Sequence, residues 1–524
     1  MTTDIQIAIR RVASVNPATG EVLREFACAG DTEVNAAVER ARSAQPEWRA
    51  LGVRRRIEVL RNFQRLLQEK TSEVARLITS EAGKPYAEAI STEVLVVLDA
   101  ARFLIENAFA ILRDQPLPHG NLAMKLKTGR IVREPYGVIA VIAPWNYPLS
   151  TPAVETIGAL IAGNAVVLKP SEFTSLTCLE LSKLLYEAGV PRDLLQIVVG
   201  DGATGAALTN AAVDKIIFTG SVATGKRIAQ AAAARLVPVV LELGGKDAML
   251  VLEDADVDVS SSGAVWGAFM NAGQTCLSVE RCYVHRSLYP AFVEACVAKT
   301  KRLRVGNGID SESDVGPMIH ERQLRIVEAH VEDARTQGAR ILTGGVQLPE
   351  LGANFYAPTV LADVTPAMRI LREETFGPVL PIMAVESDDQ AVELANDSEY
   401  GLSASVWTRN QLRGEAVARR LNAGTVMIND AVSCFGISEA PHGGVKASGI
   451  GRTHGRFGLE EMVWIKYLDE DRTPRMKKVW WYGYGKSFVR GMEGFVDLQF
   501  ARGWVRKLRG ALKSLGVVGR KGQV

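Results

Sequence analysis

"YGVIAVIAPWNYPLSTPAVETIGALIAGNAVVLKP", residues 136–170, decides the fold. Residues 138–143 form a short apolar, β-branched run, and "NAVVLKP" ends in a second. Neither alternates polar with apolar, as a half-exposed strand would; each reads as a strand buried on both faces. Between them, residues 151–162 carry a helical pattern. Strand, helix, strand in this order is a parallel pair joined by a crossover helix. The unit repeats downstream. "LQIVVG" (195–200), "KIIFTG" (215–220) and "VPVVLELGG" (237–245) are further strands, with helices over 174–188 and 224–235. "VLPIMAV" (379–385) and "GTVMIND" (424–430) continue the pattern in the second half of the chain.

Upstream, residues 31–113 read as helices. Asp31 suits an N-cap, and the stretch from Val53 to Ile78 has apolar residues at three- and four-residue spacing. In "NLAMKLKTGRIVREPYGVIAVIAP" (121–144), two short runs on either side of Thr128–Gly129 suggest a hairpin leading into the buried strand. At 524 residues the chain exceeds one core, and two or three domains are expected. Hydrophobic residues at 47% and charged residues at 23% fit a globular protein, and a net charge of +2 gives no general case for nucleic acid. The six cysteines are scattered without zinc-like or disulfide-framework spacing, which fits a reducing, cytoplasmic location and predicts no metal site. The N-terminus has no apolar signal-peptide core, and there is no apolar run long enough for a conventional membrane span.

Several segments could carry chemistry, and each has a plainer alternative. In "NAGQTCLSV" (271–279), Cys276 is either a small buried hydrophobe or a nucleophile with room around its sulfur. "APWNYP" (143–148) holds Asn146 rigidly at a strand end, as a structural turn or as an amide donor to a developing oxyanion. "LELGGKD" (241–247) puts Glu242 at an apolar strand end, as a salt-bridge partner or as a base with a raised pKa. "EETFGP" (373–378) is a helix-end cap or an acceptor for ribose hydroxyls. "GDGATG" (200–205) matches G-x-G-x-x-G after a strand, a weak signal alone. "GSVATGK" (220–226) begins like a P-loop, but Arg227 stands where magnesium binding needs Ser or Thr, so a nucleoside triphosphatase is disfavoured.

In chain order the sequence has PWN, KPSE, FTGS, ELGGK, a GQTC cysteine, EETFGP and "PHGGVKASGIG". This order resembles the aldehyde dehydrogenase superfamily over roughly residues 12–470. The resemblance implies an α/β fold with a Rossmann-like cofactor domain (1–117 and 137–243), an α/β catalytic domain (244–461) and a β-hairpin oligomerisation arm (118–136 and 462–470). It implies NAD-dependent, hydrolytic oxidation of an aldehyde, with NADP as the alternative cofactor, in a homodimer or homotetramer. Cys276 matches the nucleophile, with small neighbours Ala272, Gly273 and Thr275. Asn146 and the Cys276 N–H match the oxyanion donors, and Glu242 matches the base that activates water. Lys169 and Glu172 match the adenosine-ribose contacts, where a carboxylate would repel a 2′-phosphate. Gly202, Ser221 and Thr224 match the pyrophosphate region, Glu374 and Phe376 the nicotinamide-ribose contacts, and Trp145 and Leu243 complete the cofactor set. "GIGRTHG" (449–455) departs from the tetrameric relatives, which often carry a second glutamate there, and is similar to the fatty-aldehyde branch. A medium- or long-chain aliphatic aldehyde is therefore the expected substrate. Succinate semialdehyde is the rival, kept open by Arg281 as a cation near the cysteine. A non-catalytic protein on the same fold is the rival from another class.

Residues 471–524 form a separate basic extension. They hold thirteen Lys and Arg against three Asp and Glu, a local +10, so the first 470 residues carry −8 of the net +2. Eight aromatics lie here, Trp480, Trp481 and Trp504 among them. From Phe488 to Leu512 apolar residues recur near helical spacing with Arg and Lys between them. That pattern reads as a basic amphipathic helix for a membrane surface, or as a face packed on the protein itself.

Overall fold

The computed structural model describes residues 10–310, 312–478 and 480–518. The chain divides into two compact units, residues 1–112 with 135–464, and residues 113–134 with 465–524.

The larger unit holds two mostly parallel sheets. The first has six strands, in the order Gly449–Ile450, Val239–Glu242, Lys215–Thr219, Val138–Ile142, Ala165–Lys169 and Leu195–Ile197. All but the two-residue edge strand run parallel. Every residue of Val138–Ile142 and Ala165–Lys169 is buried, as their unbroken apolar runs require. The crossover helix Ser150–Ala162 is buried at all 13 positions, which explains why it carries no polar stripe. From Val138–Ile142 the chain first adds strands on one side and then returns to add Lys215–Thr219 on the other. In such sheets the crevice beyond the carboxyl ends, at this reversal, is where ligands bind. Pro144–Asn146, Lys169–Glu172, Gly220–Ser221 and Glu242 all follow those carboxyl ends.

The second sheet has seven strands, in the order Arg340–Thr343, Thr359–Ala362, Val379–Val385, Val279–His285, Asp247–Val251, Ser403–Trp407 and Thr425–Ile428. Only Arg340–Thr343 is antiparallel to its neighbour. Strand Val239–Glu242 passes into Asp247–Val251 through four residues, so Glu242 sits where the chain leaves one sheet for the other.

Two local expectations are corrected. Gly30, not Asp31, is the N-cap of helix Asp31–Ala50, and its N–H donates to the Glu33 carboxylate at 2.9 Å. No hairpin turns at Thr128–Gly129. Both lie inside the single strand Lys127–Pro135, the middle strand of a three-stranded sheet with Gln115–Leu117 and Val463–Asp471. Gly129 is there for packing, because a Cβ would come within 2.8 Å of the Tyr467 ring.

The extension is two helices rather than one, Lys486–Phe500 and Trp504–Val518, packed antiparallel. Glycines let them approach closely. A Cβ on Gly491 would lie 1.9 Å from Val517, and one on Gly494 would lie 2.7 Å from the Gly510 carbonyl. Trp504, Leu508, Leu512 and Leu515 form an exposed stripe along the second helix, with Trp504 76% and Leu515 66% exposed. No helix among the described residues is long and apolar enough to cross a membrane.

Candidate active site

A cavity of about 510 Å³ opens between the two large sheets. Cys276, Glu242 and Asn146 all line it, as do Trp145, Ser221, Leu243, Glu374 and Phe376. Lys169, Glu172, Gly202 and Thr224 lie outside its lining. Lys169 is buried at the end of its strand and pairs with Glu172 at 3.4 Å. Ser221 caps helix Val222–Ala233, accepting from the Thr224 N–H at 3.4 Å. Gly202 opens helix Gly202–Asn210, but Asp201 already accepts from the Ala203 and Thr204 N–H groups. The G-x-G-x-x-G match therefore marks a capped helix start beside the site.

Cys276 follows an unusual turn. Asn271, Ala272 and Gly273 all have left-handed backbones, with φ of 52°, 54° and 70°. For Ala this conformation is unfavourable, by about 1–2 kcal/mol, while Asn adopts it more readily. Side chains hold it in place. Asn271 Nδ2 donates to the Asn146 and Gln274 carbonyls, both at 3.1 Å, and its backbone N–H donates to Glu88 at 2.9 Å. Gln274 Oε1 accepts from the Ile319 N–H at 2.8 Å. Gly273 is obligatory, since a Cβ would fall 2.1 Å from the Gly377 carbonyl. Asn146 Nδ2 donates to the Gln274 carbonyl at 3.0 Å, tying the strand-end amide to the cysteine turn.

A buried ion pair steadies the other wall. Lys84 Nζ meets Glu93 at 2.8 Å with both side chains wholly buried. Glu93 also accepts from the Leu149 and Ser150 N–H groups at the start of the crossover helix. Lys84 lies 3.6 Å from the centre of the Tyr147 ring, and the Tyr147 hydroxyl meets Thr275 Oγ1 at 3.0 Å. On the third side Glu280 pairs with Lys246 and accepts from the Thr375 and Phe376 N–H groups, both at 2.8 Å. Glu374 accepts from the Gly245 N–H at 3.0 Å, and a Cβ on Gly244 would sit 2.4 Å from its carboxylate, which accounts for the paired glycines. Lys84, Glu93 and Glu280 carry no motif signal in one sequence, and Lys246 ends the ELGGK motif without its partner being evident; their buried charges reveal them.

Burial dominates the electrostatics. It pushes the Cys276 thiol well above its ordinary range, and the carboxyls of Asp247, Glu374 and Glu242 add to the effect. The same burial raises Asp247 and Glu374 each to about 8 and Glu242 well above the usual carboxyl range, with Glu155 reinforcing the last. Much of that negative charge is therefore neutralised by protonation at neutral pH. Neither oxygen of Glu242 has a hydrogen-bond partner among the described residues, although the side chain is buried. His442 and His454, which sequence reading did not single out as site residues, line the cavity beside it.

A thiol, a carboxyl and a carboxamide around one cavity at the meeting of two crossover sheets are the layout of a thiol-dependent enzyme. The chain belongs to the aldehyde dehydrogenase family, whose model matches residues 6–468. It is 39% identical over 490 residues to the 4,4'-diapolycopene aldehyde oxidase of a Methylomonas species, covering 93% of this chain and 91% of the relative. That span exceeds the number of residues before the basic extension, so the match enters it. A Mycolicibacterium smegmatis protein, provisionally named an NADP(+)-type succinate-semialdehyde dehydrogenase, is 39% identical over 452 residues, 86% of each chain. Among solved structures, the NAD+ complex of an aldehyde dehydrogenase from Bacillus cereus aligns with a TM-score of 0.84 and 36% identity, covering 88% of this chain and 93% of that one. The Rossmann-like and catalytic sheets of the fold are thereby those of the family, and the chain is an oxidoreductase that uses NAD(P).

Proposed function

We propose that this protein oxidises apolar aliphatic aldehydes of medium or long chain to carboxylic acids, with NAD as the preferred cofactor. The carrying observation is the cavity wall. Val96, Trp266, Met270, Leu277 and Phe435 line it, and no Lys or Arg does so among the described residues. A distal carboxylate, as in succinate semialdehyde, would enter without a counter-charge. Arg281, the one cation that kept that substrate in view, is buried and donates to the carbonyls of Lys246, Leu394 and Ala395 at 2.7–3.0 Å.

Cys276 attacks the carbonyl carbon, and the Asn146 amide with the Cys276 N–H receives the oxyanion. An NAD(P) nicotinamide held here would supply the hydride acceptor and a positive charge that favours the Cys276 thiolate. The residues fit such a group. The first turn of helix Val222–Ala233, where Ser221 already takes the Thr224 N–H, directs its other backbone amides toward a pyrophosphate beside Gly220 and Ser221, and Trp145, Leu243 and Phe376 give apolar walls. Glu374 and the Lys169–Glu172 pair supply polar contacts to the riboses, with Gly202 and Thr224 in the first turns of helices Gly202–Asn210 and Val222–Ala233. The negative charge of Glu172 disfavours a 2′-phosphate. Glu242 then takes a proton from the water that hydrolyses the Cys276 thioester.

The test is NADH or NADPH formation from propanal, decanal and succinate semialdehyde. The expected result is a kcat/KM for decanal at least about tenfold above the other two, and higher with NAD than with NADP. A preference for succinate semialdehyde would overturn the substrate assignment.

Two associations complete the reading. Strand Val463–Asp471 lies at a sheet edge and exposes Ile465 and Leu468, which suits pairing with a second copy in a homodimer or homotetramer. The helical hairpin of the extension combines its exposed stripe with Arg506, Lys507, Arg509 and Lys513, which suits peripheral contact with an anionic membrane from the cytoplasmic side. The full chain is expected to float with vesicles containing phosphatidylserine, and a W504S/L508S/L512S variant to stay in the soluble fraction. Equal recovery of the two in the soluble fraction would remove the membrane role.

A further inference from the structure

We propose that His442 is a positioning residue for hydrolysis: together with Glu242 it holds the water that attacks the Cys276 thioester. The inference rests on Glu242 acting as the base. Its starting point is a set of buried polar atoms that the protein leaves unanswered. Both Glu242 oxygens and His454 Nε2 have no hydrogen-bond partner among the described residues, nor does His442 Nδ1, the ring nitrogen left to carry the proton when Nε2 accepts, and all three side chains line the cavity that holds Cys276. Buried polar atoms are normally paired, and clustered exceptions facing a cavity mark a place for a small polar molecule.

The geometry selects His442. Its Nε2 stands 3.8 Å from Glu242 Oε2, too far for a direct hydrogen bond and close enough for both atoms to reach one water. The ring is well fixed. The His442 backbone exchanges two hydrogen bonds with Thr453, each 2.8 Å, and the ring meets Phe435 edge-on at 5.1 Å between centres. His454 packs on the same Phe435 and is held by Thr453 Oγ1 at 3.1 Å through its Nδ1. The charged groups acting on this corner are Glu155, Glu461 and Arg452. Burial and Arg452 lower the His442 pKa to about 4, so its imidazole is neutral and keeps one acceptor nitrogen.

A water that donates one proton to Glu242 and the other to His442 Nε2 has a lone pair free for attack. The new bond joins the water oxygen to the thioester carbonyl carbon, and the shared proton passes to Glu242. Collapse of the oxyanion breaks the C–S bond, its electron pair leaving on Sγ of Cys276. The acid departs, and Glu242 loses its proton to solvent. His442 ends unchanged, having oriented the water without gaining a proton.

Rapid mixing with NAD and whichever aldehyde of the three-member panel turns over fastest separates the two half-reactions. H442F is expected to keep a burst of about one NADH per active site. Its steady-state rate should fall about 10- to 100-fold, with a thioester adduct on Cys276 visible by mass in acid-quenched protein. H442Q, which returns a polar atom near Nε2, should recover to within about fivefold of wild type. Wild-type turnover by H442F alongside a stalled E242Q would overturn the inference and leave the base in place. Loss of the burst in H442F without adduct would also overturn it, by moving the defect to acylation or folding. Wild-type turnover by E242Q would remove the base and this inference together.

Discussion

Cys276→Ala is expected to abolish NADH formation from every aldehyde, a loss on the order of 10⁶ in turnover, while the protein folds and binds cofactor as before. The size follows from what is removed. The other groups bind and polarise the carbonyl, but none can form the thiohemiacetal from which hydride leaves, so no slower version of the same route remains. Folding should be spared, because Cys276 is only partly buried and the turn before it is held by Asn271 and Gln274, whose partners are unaffected. A stability change within about 1 kcal/mol is expected from thermal melting. Cys434→Ala is the control. That thiol is buried near the site, with its pKa pushed up to about 12, and does not line the cavity. Turnover within a few-fold of wild type is expected there. Activity surviving in the Cys276 variant and lost in the Cys434 variant would reassign the nucleophile.

The parallel strands were readable from sequence because burial on both faces leaves an unbroken β-branched run, a local property of residues 138–142 or 165–169. The strand-end motifs were readable for a related reason: a chain that must stop, turn and present one side chain at a sheet's edge uses Pro, Gly and a lone polar residue. What failed depended on distant partners. Thr128–Gly129 resembles a turn, yet Gly129 is small because Tyr467 crosses it from another strand. Ala272 gives no hint of left-handed backbone, and Asn271, a residue type that tolerates it, is held there by Asn146, Glu88 and Gln274. Lys84 looks like a surface lysine, and Lys246 like no more than the end of ELGGK, until their buried carboxylates are seen. Arg281 looked like an anion receptor and proves to be a strut between backbone carbonyls. The extension's apolar spacing was read as one helix, because the glycines that let it fold back on itself are informative only once both helices are in place.

Glu242→Gln is expected to leave acylation fast and to slow turnover by about 10²–10⁴, the range for loss of a general base. The carboxyl's environment explains why the effect should be confined to hydrolysis. Burial is the main cause of its raised pKa, Glu155 adds to it, and Arg452 only partly opposes it. Burial therefore favours the neutral form, which cannot take a proton. In wild type, a rate limited by hydrolysis should rise with pH as the carboxyl ionises, at pH values above those where an ordinary carboxyl titrates. The glutamine variant is nearly isosteric and has nothing to ionise, so its low rate should lack that rise. A single-turnover burst of full amplitude in the variant, with the acyl group trapped on Cys276, would place the defect after hydride transfer. The same pH rise persisting in the variant would transfer the titration to another group. Glu155 would then be the next candidate: it too lines the cavity, is buried and raised to about 8, and holds one oxygen without a partner among the described residues.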